Sequence, residues 1–321
     1  MNNMNPQSLP GCDLSNLRRE FGMSAWLSKV REWLGAGGSP ARLRVMNLLA
    51  ERALEPVYQP MVDLRSGVIL GQEALVRAPR RMAETSFETL IEAAQQERCQ
   101  KNFELACLEL SMEAWAAHNG KGQLFVNFSA QSLVQLQESD AAGMLLHLMR
   151  KHQMSPRRVG IDLSGYTRIP QLDVLVEALR PLRDAGVTIA LDNFKASENS
   201  MKAWAKVLPN VVKMAPRWTH NIAVDAEQSR VVRSMVRLTR NHNALLVAKS
   251  VESEVELRMM KGLGVDMAQG FFLGSPAPEP VRSLNLRARD VLQLTEDGRM
   301  PEPVKAPVRP PVLETRFSLL S

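Results

Sequence analysis

From Glu55 onward the chain alternates between two textures. Short apolar runs occupy 56–63, 67–75, 123–128, 158–163, 187–192, 211–214, 245–248 and 265–272. Longer stretches of helical character separate most of them, near 86–118, 139–152, 171–185, 198–207, 224–243 and 252–263. A strand covered on both faces reads as a short continuous apolar run, whereas a helix lying on a sheet shows one apolar stripe. Their alternation predicts a parallel sheet closed by crossover helices, an α/β fold. Eight such runs close most naturally as a modified TIM (β/α)8-type barrel. Only Arg65-Ser66-Gly67 joins the first two runs, which suits a hairpin better than a crossover. One strand is therefore expected to run antiparallel to the rest.

The flanks read differently. Residues 1–22 are polar, with Pro and Gly, and predict loose order. Over 23–34, Met23, Trp26, Leu27, Val30, Trp33 and Leu34 form one helical stripe. That stripe suits a helix docked on the main domain, a dimer contact or an interfacial membrane helix. "GAGGS" at 35–39 reads as a flexible joint, and Ser39-Pro40 as the cap and first residue of a helix reaching about Ala53. After Ser275 the chain turns proline-rich and cannot continue the barrel; a short helix over 281–294 and an extended tail are expected. The expected organisation is an N-terminal extension at 1–38, the barrel at 39–278, and helix plus tail at 279–321.

Composition narrows this picture only slightly. A net charge of +6 suits an anionic ligand, nucleic acid or an anionic membrane surface, and equally a merely soluble basic protein. No zinc-finger spacing, homeodomain-like helix or interleaved basic and aromatic run supports nucleic acid. Cys12, Cys99 and Cys107 are odd in number and lack paired metal spacing, which argues against a disulfide framework or a zinc site. No signal-peptide pattern and no apolar run of membrane-spanning length is visible, so a reducing cytoplasm is the expected location.

In such a barrel, chemistry gathers at the C-terminal ends of the strands. Those ends carry Glu73 and Arg77, then Asn127, Asp162, Asp192 with Asn193 and Lys195, Lys213, Lys249 and finally Gln269. Carboxylates and an amide from several strands resemble a ring of oxygen ligands for Mg²⁺ or Mn²⁺. Taken singly, each is as well read as a capping or solvated residue.

The residues carry a family resemblance. "YQPMVDLRSGVILGQEALVR" (58–77), which contains Glu73-Ala74-Leu75, is followed in order by "VNFS", "LDNF", "VVKM" and "GVDMAQGFFLGSP". This combination resembles the EAL domain, the family of cyclic di-GMP phosphodiesterases, over about residues 50–278. The resemblance implies a barrel with one antiparallel strand, two divalent cations that activate a water, and attack on a phosphodiester of the cyclic dinucleotide. Glu73, Asn127 and Asp192 match metal ligands, Lys213 matches the lysine that steadies the water, and Glu252 is retained. Gln59, Leu75, Arg77 and Gln269 match positions around the nucleotide.

Several positions depart from the family pattern. Asp162 stands for a ligand Glu, and Gly165 for a Glu that orders a loop. Asn193 and Lys195 replace the second Asp and the Gly of Asp-Asp-Phe-Gly, the loop that follows has become "KASENSM", and Ala215 replaces another Asp. Most consequential, Lys249 replaces a ligand Glu. An ammonium 4 Å from a dication would oppose its binding by roughly 8 kcal/mol at an effective dielectric of 20, about six decades of affinity. Deprotonating the lysine from near 10.4 to below 7 would cost about 4.6 kcal/mol. The two-metal site is therefore expected to be lost, with no metal or cofactor bound, and Lys249 with Lys213 to act as counterions for Glu73, Asp162 and Asp192.

The reading that follows is a catalytically inactive regulatory protein in cyclic di-GMP-related signalling, acting on another regulatory protein. The alternatives are a metal-independent cyclic di-GMP receptor and, last, a weak phosphodiesterase. A receptor needs Arg77 and the Gln59 region open; an interaction module would have its pocket filled by side chains such as Lys249 and Phe194. Because family members commonly dimerise through a barrel face, the resemblance also makes a homodimer plausible.

Overall fold

The computed structural model describes residues 45, 47–49, 51–79, 87–96, 99–137 and 141–292. The stripe at 23–34 and the tail beyond 292 lie outside these residues. Strands β1 (Glu55–Asp63), β2 (Ile69–Arg77), β3 (Gln123–Ser129), β4 (Val159–Ser164), β5 (Thr188–Phe194), β6 (Val211–Met214), β7 (Leu245–Ala248) and β8 (Met267–Ala268) close a barrel in sequence order. β1 pairs antiparallel with both β2 and β8, and every other pair is parallel. The hairpin is locally encoded: the Asp63 carboxylate accepts from the Arg65 and Ser66 backbone N–H groups and from Ser66 Oγ. Gly67 supplies the φ of 69° that turns the chain back.

Outside the sheet lie α1 (Phe87–Gln96), α2 (Gln100–Ala117), α3 (Ala130–Gln137), α4 (Ala141–Lys151), α5 (Leu172–Asp184), α6 (Glu198–Val207), α7 (Ala226–Asn241), α8 (Glu254–Leu263) and α9 (Leu286–Leu292). Three sequence expectations need correction. The stretch 86–118 forms two helices, not one, with Cys99 as N-cap of the second. Helix α3 follows β3 without a loop, too short at eight residues to show a clear period. The last strand is two residues long because the chain leaves the sheet at Gln269 and turns, Leu273 and Gly274 donating to the Gly270 carbonyl. A Cβ on Gly270 would lie 2.2 Å from the Val251 backbone, so this crossing requires glycine.

Side-chain alternation along each strand builds two cores. Outward residues meet the helices, with Tyr58 against Trp115 and Phe194 against Trp204, each pair at 5.3 Å between ring centroids. Inward residues Met61, Phe125, Ala190, Val211, Val247 and Met267 form a separate cluster inside the barrel. Gly160 makes room for Phe125, since a Cβ there would lie 2.5 Å from its ring. Among the described residues no helix is long and apolar enough to cross a membrane.

Candidate functional site

The inner apolar cluster positions everything above it. Two residues further along each parallel strand, the side chain again points inward but now stands at the mouth. Phe125, Ala190, Val211, Val247 and Met267 are thus followed by Asn127, Asp192, Lys213, Lys249 and Gln269. Gly160 is followed by Asp162, and on the antiparallel strand Gln59 pairs in register with Glu73.

Lys213 is the hub. Its side chain is wholly buried, donates to Glu73 Oε2 at 2.7 Å and to Asp162 Oδ2, and sits 5.2 Å from the Phe125 ring centre. Gln269 Nε2 donates to the same Glu73 oxygen at 2.9 Å and to Gln59 Oε1 at 3.0 Å. Asn127 Nδ2 donates to Glu73 Oε1 at 3.0 Å and to the Ala74 carbonyl at 3.1 Å. Gln59 is fixed in turn by donating to the Gly274 carbonyl. Lys249, its side chain 21% exposed, reaches across to Asp192 Oδ1 at 2.6 Å.

Three carboxylates therefore face two ammonium groups, with Glu73, Asp162 and Lys213 shut off from water and Asp192 and Lys249 at its edge. Burial by itself would raise the Glu73 carboxyl, but Lys213, Lys249 and the hydrogen bonds from Lys213 and Asn127 hold it well below the usual range. Burial likewise opposes charge on Lys213, yet Asp162, Glu73 and Asp192 drive its ammonium upward. Lys249 moves the same way: burial lowers it, Glu73 and Asp192 outweigh that, and the result is raised. Asp162 goes against its partner. Burial, with repulsion from Glu73 and Asp192, exceeds the pull of Lys213 and pushes it up to about 7. Its Oδ1 is buried with no hydrogen-bond partner among the described residues. The cluster thus nears neutrality by keeping Asp162 easy to protonate.

Other expected site residues stand apart. Between Leu191 and Phe194 the β5–β6 register slips, and Asn193 takes a φ of 54° and is exposed. The exposed Glu252 turns away from the cluster's hydrogen bonds; its backbone N–H is bound by Glu256. Leu75 is half-buried and Arg77 exposed at the end of β2. Ala215 is buried, and Gly165 adopts a φ of 66° at the start of a single 3-10 turn. Phe194 does not fill the mouth, as an interaction module was expected to require; it is turned to Trp204 in the helix layer.

Sequence reasoning missed two features. Phe125 under Lys213 was readable from the alternation that places Asn127. A cleft of about 1020 Å³ opens beside Asp192, lined among others by Gln131, Tyr166, Arg168, Asn193 and Lys195. It is assembled from helix and loop segments far apart in sequence, so no local motif announces it.

A closed eight-stranded barrel with one antiparallel strand and a mouth of carboxylates, amides and lysines defines a modified α/β barrel of the TIM type. The EAL domain profile matches residues 42–276, and the chain belongs to that family. The bifunctional diguanylate cyclase/cyclic di-GMP phosphodiesterase MucR of Pseudomonas aeruginosa is 25% identical over 236 residues, 72% of this chain and 34% of that protein. The probable cyclic di-GMP phosphodiesterase PdeA of Escherichia coli is 24% identical over 179 residues, 55% of this chain and 24% of PdeA. The chain spans about a third or less of the length of these curated relatives. Among solved structures, the PaMucR phosphodiesterase in complex with c-di-GMP gives a TM-score of 0.67 at 22% identity, covering 75% of this chain and 98% of that one. The Xanthomonas citri FimX EAL domain in complex with c-diGMP also gives 0.67, at 15% identity, covering 80% and 97%. At that identity the likeness shows the fold.

Proposed function

We propose that the chain is a catalytically inactive EAL-domain regulatory protein of cyclic di-GMP-related signalling, working in the cytoplasm through contact with another protein. The observation that carries this reading is that oxygens of Glu73, Asp162 and Asp192 are engaged by the ammonium groups of Lys213 and Lys249. Two divalent cations do not fit that donor set. A cation beside Asp192 would meet Lys249, held as an ammonium, and the repulsion is roughly 8 kcal/mol at 4 Å and an effective dielectric of 20. Asn193 is uncharged, and Ala215 offers only a methyl group. With no second cation to activate water, the residues hold a fixed scaffold and no hydrolytic step is assigned to them. In an assay with cyclic di-GMP and millimolar Mg²⁺ or Mn²⁺, no linear dinucleotide is expected. Turnover abolished by Lys213→Ala would overturn the reading.

A second reading, a metal-independent cyclic di-GMP receptor, is favoured by one observation: Arg77 stands exposed at the mouth end of β2, with no ion pair among the described residues. The PaMucR and FimX structures are complexes of this dinucleotide. Calorimetric titration in EDTA separates the two. Saturable heat lost in Arg77→Ala makes the protein a receptor; no heat at high protein concentration leaves the interaction reading in place.

A further inference from the structure

Helix α7 carries a feature that neither the mouth nor the fold requires. Val232, Met235, Val236 and Thr239 are buried, and the opposite face presents Arg230, Arg233, Arg237 and Arg240, all exposed. Their spacing of three, four and three residues places them within an arc of about 80°, in a row about 15 Å long. The helices on either side in chain order neutralise cations locally: Lys202 with Glu198 on α6, Arg258 with Glu254 on α8. Lys206 of α6 is likewise paired, with Asp173. On α7, Arg230, Arg233 and Arg237 form no ion pair among the described residues, while Arg240 donates to the Gly264 carbonyl near Asp266. Like charges at these spacings each weaken a helix by about 0.2–0.5 kcal/mol. The row is thus a small standing cost that a bound anion would remove.

We propose that this face of α7 is a docking surface for an acidic helix of a partner protein, bearing carboxylates at the same three-and-four spacing. Guanidinium forks take carboxylates two oxygens at a time, which fixes register as well as charge. The positive field is concentrated along the row, because Lys202, Lys206 and Arg258 on the flanking helices are each held by a carboxylate; Lys261, beyond Arg240, donates to the Leu292 carbonyl. Nucleic-acid surfaces spread phosphate contacts more broadly. Exposed Leu208 and Leu245, on segments joined by the Leu245 N–H to Asn210 carbonyl bond at the foot of α7, add apolar anchors that a protein uses and a phosphate backbone does not. The inference is independent of the state of the barrel mouth.

The test uses the full chain and a fluorescent synthetic helical peptide with glutamates at that spacing. Controls are the same composition scrambled and a 20-base-pair DNA duplex. Saturable anisotropy for the patterned peptide is expected, falling at least tenfold for the scrambled peptide and for Arg233→Glu/Arg237→Glu. That variant places acids between Arg230 and Arg240, so its melting temperature should hold or rise; a normal melt ties any lost binding to the surface. No saturation by the patterned peptide, equal binding by the variant, or tighter binding of the duplex with the same loss in the variant would each overturn the proposal.

Discussion

Lys213 on β6 and Lys249 just past the end of β7 carry the same charge, yet they differ in how much water they see. Lys213 is wholly buried between Glu73 and Asp162, whereas Lys249 and Asp192 are 21% and 14% exposed. Removing one partner of a buried pair leaves an uncompensated charge and costs about 3–5 kcal/mol. Lys213→Ala should fall in that range in urea unfolding, and Lys249→Ala should cost less because water reaches Asp192. Equal losses would contradict this ranking. Asp162 adds a pH signature, since its carboxyl is pushed up to about 7 from 3.8. An acid raised by folding supports the native state most below its unfolded value and withdraws that support as pH rises through the folded one. Glu73, shifted the other way, stays ionised in the folded state through this range, and removing the neighbouring Asp162 charge only holds it lower, so it does not reverse the sign of the difference. Wild-type stability relative to Asp162→Asn should therefore decline between about pH 4 and pH 7; a flat difference would mean that Asp162 titrates normally.

At the scale of single elements, helix starts are set by identifiable caps. Asp225 accepts from the Glu227 and Gln228 backbone N–H groups at 2.9 Å, and Ser253 with Glu256 forms a reciprocal capping box on α8. Asp225→Ala should cost about 1 kcal/mol in urea unfolding, and no change would show that water serves the α7 N-terminus equally well. The strands were legible because parallel strands leave unbroken apolar runs, so expected and observed bounds differ by little in β3 to β7. Where the sequence misled, local detail overrode pattern. Helix α3 is too short to display a period, and β8 is cut off by a turn that depends on the close approach of Gly270 to Val251. The Asp63 hairpin, by contrast, could be placed from the length of its connection alone.

Across the whole molecule, the barrel turns eight separated strand ends into one mouth. That is why single residues far apart in sequence were readable as one cluster. Alternation lifts each of them above the apolar layer of Met61, Phe125, Ala190, Val211, Val247 and Met267. Asn193 and Glu252 lie outside the hydrogen-bonded cluster: the β5–β6 register slips and φ is left-handed at Asn193, and Glu252 is exposed after β7, local details that residue type does not reveal. The arginine row of α7 lies on the outer surface, beyond the reach of any reading confined to strand ends.

On the proposed function, lysines take the electrostatic role of metal at the mouth. Thermal melts of wild type and Lys249→Ala, each in EDTA and in millimolar Mn²⁺, test it most directly. Wild type should melt at the same temperature in both; Lys249→Ala should melt lower in EDTA and recover at least part of the loss in Mn²⁺. A wild type stabilised by several degrees in Mn²⁺, or a Lys249→Ala variant that melts like wild type in EDTA, would contradict the account.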